Sequence, residues 1–205
     1  MKTRKPLLLL SIVLVAAASL YAQPEAARPP QIAPSYEVML QVLVGSNDTA
    51  NGGTLSPNLR AVSSQFKSNF AFSNYRLDNT FVGRVATNGS YEYKSISNTI
   101  GTGVDSETPT FLEWTLGTLR SAANDKGQTT FQAEPFRFGA RVPVRVSSYS
   151  NDNSGKAIAT INYESIGLVV NRVGLLENTP TLIGTISLPK TAGTLFLVLT
   201  VKPAL

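Results

Sequence analysis

From Tyr36 to Lys202 the chain is written almost throughout in a period of two, and that pattern admits little besides antiparallel β-structure. Tyr36, Val38, Leu40, Val42 and Val44 alternate with Glu37, Met39, Gln41 and Leu43, and the run stops at Gly45. The same grammar predicts strands over Tyr75 to Thr87, Ser90 to Ser97, Thr110 to Leu119, Thr129 to Phe138, Arg141 to Tyr149, Ala157 to Tyr163, Ile166 to Leu175, Thr181 to Leu188 and Thr194 to Lys202. Between them stand turn formers, among them Asn88-Gly89, Asp125-Lys126-Gly127 and Asn151 to Gly155, which suggest meandering hairpins. Leu195-Phe196-Leu197-Val198-Leu199 has no polar face, so this strand is expected in the middle of a sheet, covered on both sides.

One segment departs from that period. Leu59, Val62, Phe66 and Phe70 recur at three- and four-residue steps after Ser56-Pro57, which predicts an amphipathic helix to about Asn69 with Ser56 as its N-cap. The expected architecture is α+β but mostly β: antiparallel sheets, sandwich-like, with one amphipathic helix near the N-terminus.

The first 22 residues read differently. Lys2, Arg4 and Lys5 precede an apolar run from Leu7 to Ala18, and Leu20-Tyr21-Ala22 ends on a small residue, the layout of a secretory signal peptide. Cleavage is expected after Ala22, with Ala18 as the alternative. The run is shorter than the roughly 20 residues a spanning helix requires, and no later stretch is long enough either. Residues 23 to 34 (QPEAARPPQIAP) read as a proline-rich flexible spacer, leaving a single β-rich domain over 35 to 205. The expected location is therefore outside the cytoplasm, periplasmic or extracellular. The signal holds three of the 18 basic residues and none of the 13 acidic ones, so its removal lowers the net charge from +5 to +2. That is too little for the dense basic patch of a nucleic-acid binder.

The chain has no cysteine and no histidine. Their absence excludes disulfides, the serine-histidine-aspartate triad, the cysteine-histidine dyad and the common zinc, copper, haem and iron-sulfur ligand sets. No cofactor or metal is expected. Ser64-Gln65-Phe66-Lys67 matches the S-x-x-K of penicillin-recognising enzymes, and Lys190-Thr191-Ala192-Gly193 approximates their K-T-G, but an alanine splits the second motif and Ser64 falls on the solvent face of the predicted helix. Asn151 to Gly155, and Asn47-Asp48 with Asn51-Gly52, are oxygen-rich as calcium loops are, yet the EF-hand spacing is not met and hairpin turns use the same residues. Tyr91, Tyr93 and Trp114 suit either a sugar-stacking platform or cross-strand packing.

The candidate binding residues are Arg137, Arg141 and Arg145. Between Phe136 and Val146 the even positions are apolar while these arginines occupy odd ones, so in an extended strand the guanidinium groups share one face at intervals of about 13 Å. Such a row suits phosphates, carboxylates or an acidic partner. The alternative is the solvated face of an amphipathic strand, with Pro143 marking an edge or bulge and the arginines discouraging edge-to-edge aggregation.

Two stretches carry a resemblance. LRAVSSQFKSNFAFSNYRLDNTF (59 to 81) and TPTLIGTISLPKTAGTLFLVLTVKP (179 to 203) resemble segments of uncharacterised bacterial exported proteins associated with pilus and secretion components. The second also resembles the β-ladders of the secretin family, although the chain is too short to supply both a secretin's ring domains and its channel. The resemblance implies an accessory envelope protein with no catalytic residues to carry over. The resulting expectation is a non-enzymatic exported structural or interaction protein with an envelope protein as partner. The alternatives are a binding module for an anionic glycan or lipid headgroup and, last, a hydrolase using carboxylates or Ser64 and Lys67.

Overall fold

The computed structural model describes residues 33–47, 55–100, 108–149, 157–188 and 193–204. The expected signal, nearly all of the spacer, the Asn151 to Gly155 loop, Asp48 with Asn51-Gly52, and Lys190 to Ala192 lie outside the described residues. The rest is a β-sandwich with one helix. Its strands are β1 (Ser35–Ser46), β2 (Asn74–Ala86), β3 (Tyr91–Ser97), β4 (Thr110–Ala123), β5 (Thr129–Tyr149), β6 (Ala157–Val170), β7 (Val173–Leu176), β8 (Thr181–Ser187) and β9 (Thr194–Pro203). A 3₁₀ turn (Pro57–Leu59) leads into α1 (Arg60–Asn69). The first sheet has the order β2-β1-β9-β8. The second has the order β3-β4-β5-β6, with β7 pairing the start of β5. Every ladder within the sheets is antiparallel.

The alternation in β1 places Val38, Leu40, Val42 and Val44 in the core between the sheets, where Leu195, Leu197, Leu199 and Val201 of β9 lie beside them. Leu112, Trp114, Leu116, Phe136, Phe138 and Ala140 meet them from the second sheet. The opposite faces of β1 and β9 carry Leu43, Phe196 and Val198, and these are buried under Leu59, Val62 and Phe66 of the helical segment. The wholly apolar last strand is thus central and covered on both sides, as its lack of a polar face predicts. Each such buried side chain contributes about 1.5–3 kcal/mol.

The α1 segment follows its expected periodicity, but its start differs in detail. Ser56 is extended and its carbonyl accepts from Leu59 N–H at 3.0 Å, while its hydroxyl turns to the Asn58 side chain and makes no side-chain cap. At the other end an aromatic cluster closes over the sheet. Phe196 lies 4.6 Å from Phe66, 4.9 Å from Phe70 and 5.5 Å from Tyr75 between ring centres, and the Tyr75 hydroxyl donates to the Phe70 carbonyl at 3.1 Å. Burial raises the Tyr75 hydroxyl above the ordinary tyrosine range.

Three expectations about the strands are corrected. Thr129 to Phe138 and Arg141 to Tyr149 form one strand, β5, because Gly139 keeps its backbone in the ladder opposite Gly167 and Glu113. For the same reason β6 runs unbroken through Glu164 and Ser165, and the sheet breaks later, between Val170 and Val173. Asn88-Gly89 makes a turn with Asn88 at φ 64°, but it carries the chain from the first sheet to the second and closes no hairpin within a sheet. Leu119 of β4 captures it: Asn88 N–H donates to the Leu119 carbonyl at 2.7 Å, and Leu119 N–H donates to the Gly89 carbonyl at 2.9 Å. The Asp125-Lys126-Gly127 turn does close a hairpin, β4 to β5, with Asn124 Oδ1 accepting from Lys126 and Gln128 N–H groups at 2.9 Å each.

The second sheet changes phase halfway. In β4 the buried positions are Thr110, Leu112, Trp114 and Leu116 and then Leu119; in β5 the buried apolar side chains include Phe131 and Ala133 and then Phe136, Phe138, Ala140, Val142 and Val144. Both strands therefore gain one residue at the same level, Gly117 in one and Pro135 in the other, between the pairs Leu116 with Phe136 and Thr118 with Glu134. Glu134-Pro135 is a cis peptide bond.

Candidate functional site

The three arginines read from the sequence are where their alternation places them. Arg137, Arg141 and Arg145 are all exposed on the outer face of the second sheet, the face turned away from the core. Their strand, β5, lies inside the sheet rather than at its edge, between β4 and β6 as far as Arg141. From Val142 to Tyr149 it pairs with β6 alone, so Pro143 sits where β4 has ended and no ladder on that side requires its missing N–H.

Because side chains on one face of adjacent strands stand opposite one another, the pairing identifies the arginines' neighbours. Arg141 lies between Phe111 of β4 and Ser165 of β6, and Arg137 lies between Thr115 and Val169. The Arg141 guanidinium is 4.8 Å from the centre of the Phe111 ring, a cation–π contact, and Phe111 lies 5.6 Å from Tyr163. Ile96 and Val169 are each 56% exposed here, Tyr163 41% and Phe111 38%. Beside Arg141, Gly139 floors a shallow pocket of about 220 Å³, walled by Lys94, Phe111, Glu113, Arg141 and Ser165. The Glu113 side chain lies along Gly139, 3.3 Å from the place a Cβ would take.

The phase change at Gly117 and Pro135 brings two further arginines to this face. Past it, Arg120 of β4 and Gln132 of β5 point outward, and Arg172 pairs with Glu134. Gln132 Nε2 also donates to Glu134 Oε1, at 2.7 Å. Arg120, Gln132, Arg172, Gly174 and Leu176 line an open groove of about 730 Å³ at this end. Charges of both signs stand on the face, but the basic ones outnumber the acidic: Lys94, Arg120, Arg137, Arg141, Arg145 and Arg172 against Glu92, Glu113 and Glu134. Lys94 pairs with Glu92 at 3.2 Å, whereas Arg137 and Arg141 form no ion pair among the described residues. Sequence reasoning missed Phe111, Tyr163, Arg120 and Arg172. The first two were legible as exposed phases of alternating strands, but the last two required the phase change.

The other candidates resolve into structural roles. The Ser64 hydroxyl donates to the Arg60 carbonyl at 3.1 Å, one helical turn back, and both Ser64 and Lys67 are exposed on α1 and line neither the pocket nor the groove of the second sheet. Trp114 is 1% exposed and packs against Tyr91 at 5.1 Å and Phe136 at 6.3 Å, so it belongs to the core, with Tyr91 packed against it; Tyr93, 37% exposed, stacks on Tyr91 at 6.3 Å at the margin of that packing. The Asp78 side chain is fully enclosed. Its oxygens are occupied by Ser97, Thr99 and Asn79, with Arg76 at 3.3 Å. No group of three or more metal-ligating side chains is present among the described residues, and no described helix is long and apolar enough to cross a membrane.

What fold and site together define is a class: a two-sheet antiparallel β-sandwich with a helix over one sheet and a basic, partly apolar face on the other. Set beside known protein families, curated proteins and solved structures, the chain matches none of them.

Proposed function

We propose that this chain is an exported, non-catalytic interaction protein of the cell envelope, and that it holds a protein partner on the outer face of its second sheet. The observation that carries the reading is the pair Arg137 and Arg141, exposed and free of ion pairs among the described residues, beside the exposed side chains Ile96, Phe111 and Tyr163. A merely solvated strand face would carry polar residues in those apolar places. Interfaces favour this combination of arginine with aromatic and aliphatic surface. The same apolar surface favours a protein over an anionic glycan or lipid headgroup, since Phe111 and Tyr163 are inclined at 53° and present no flat platform. The signal-like first 22 residues support export, and the resemblance of residues 59–81 and 179–203 to exported proteins puts a pilus or secretion assembly first among systems to search.

The test is a photo-crosslinking residue introduced at position 111 in the source cell, with the same residue at position 64 on α1 as the comparison. One discrete protein adduct at 111, absent at 64 and lost on charge reversal at Arg137 and Arg141, is the expected result. Equal labelling at both positions, adducts to glycan or lipid alone, or robust turnover by the purified mature chain overturns the reading.

A further inference from the structure

We infer that the partner is bound by strand addition: an extended segment of a partner protein, acidic at alternate positions, pairs with the free edge of β6. This rests on the proposal that the outer face of the second sheet is an interaction surface, and it names the segment that surface takes.

The edge itself is the first observation. β6 runs for 14 residues and lies at the end of its sheet, its ladder among the described residues being with β5. From Ile161 to Val170 its other side has no backbone partner among the described residues. Long edges are usually blunted by proline, lysine or a bulge. This edge has no proline or bulge, and its only charged residue is Glu164. An edge left open in this way supplies the main-chain donors and acceptors that strand addition uses.

Charge complementarity selects the occupant. A strand laid along β6 stands two strand spacings, about 10 Å, from β5. Between it and the arginines lie the outer-face residues of β6, and two of these, Ser165 and Gly167, are small. They leave a lane across which Arg141, and Arg137 beside them, reach carboxylates on the incoming strand. Its other side chains turn inward beside Ile166 and Leu168, which pack against the core while staying partly exposed. The segment that fits therefore alternates acidic and apolar residues. A second copy pairing β6 to β6 does not fit: that antiparallel pairing brings only Glu164 as a charged group, on the opposite face, and offers the arginines no carboxylate.

The test uses the full mature chain and three synthetic peptides: an alternating glutamate–valine peptide, the same peptide N-methylated at alternate residues to remove its strand-forming N–H groups, and an alternating lysine–valine peptide. The expected result is that the glutamate–valine peptide binds, that N-methylation or the double substitution R137E/R141E each weakens it by about tenfold or more, and that the lysine peptide does not bind. Binding that falls with R137E/R141E but survives N-methylation overturns strand addition and leaves the interaction face standing. Absence of glutamate–valine binding beside a discrete crosslink at position 111 likewise overturns strand addition alone. Absence of both overturns the face as well.

Discussion

Gly117 and Pro135 meet at the level where β4 and β5 each take in an extra residue, and a Cβ on Gly117 would stand 2.1 Å from the Glu134 carbonyl oxygen and 2.5 Å from the Pro135 nitrogen. Both obstacles are backbone, so no side-chain rotation relieves them. Gly117→Ala is expected to destabilise the fold by about 3 kcal/mol, the upper range for overpacking, as read from the urea midpoint. An unchanged midpoint would show that β4 and β5 part without loss at this level.

Thr200 is 6% exposed in β9 and its hydroxyl oxygen has no hydrogen-bond partner among the described residues. A buried hydroxyl without a partner is a net cost, and valine keeps the branched shape without it. Thr200→Val is expected to raise stability by about 1 kcal/mol, a gain that thermal unfolding resolves as a higher Tm.

The Tyr75 and Tyr91 hydroxyls are both raised, chiefly by burial, and for Tyr91 the neighbouring Tyr93 adds to the effect. The folded state therefore holds these protons more tightly than the unfolded chain. Their contribution to stability is complete below the unfolded value of about 10 and is lost as pH rises through the higher folded values. Urea midpoints are expected to fall above about pH 10, and to fall less steeply in Tyr91→Phe. An equally steep fall in that variant would remove Tyr91 from the cause.

Arg137 and Arg141 are exposed and hold no ion pair among the described residues, so replacement with alanine is expected to change stability by no more than about 0.5 kcal/mol at Arg137 and about 1 kcal/mol at Arg141, where the contact with the Phe111 ring is lost. Partner capture, by contrast, should weaken and lose part of its salt dependence, because guanidinium–carboxylate contacts at the rim of an interface are screened by salt. Calorimetric unfolding and binding at low and high salt measure the two effects separately.

Mass spectrometry of the protein recovered outside the cytoplasm is expected to show Gln23 as the first residue, with Ser19 as the alternative start. Recovery of the chain with Met1 still attached, in the cytoplasm, would remove the premise of an envelope partner.

Much of the sandwich was legible in the residues. The alternation in β1, the apolar run of β9 and the spacing of Leu59, Val62 and Phe66 each found the surroundings their pattern implies, because period and polarity are local consequences of which face is buried. Gly139 misled in the opposite direction. A lone glycine resembles a strand end in sequence, but it remains a strand residue when another strand offers the ladder, as Gly167 does here. Half of the candidate site was legible in the same sense: the arginines of β5 shared a face as their odd positions required, while Arg120 and Arg172 lay outside the pattern.

The sequence by itself determined which residues of each segment share a face, because a strand turns successive side chains to opposite sides whatever lies next to it. It also determined that β9 would be covered twice, since no polar face remained to offer to water. Only the tertiary structure decided which strands are neighbours: that β1 pairs with β9 from the far end of the chain, that Asn88-Gly89 crosses between sheets, and that Phe111 lies under Arg141. Ladder hydrogen bonds join backbone groups common to every residue, so strand order is left to the fit of side chains across the core and to close approaches such as Gly117 against Glu134.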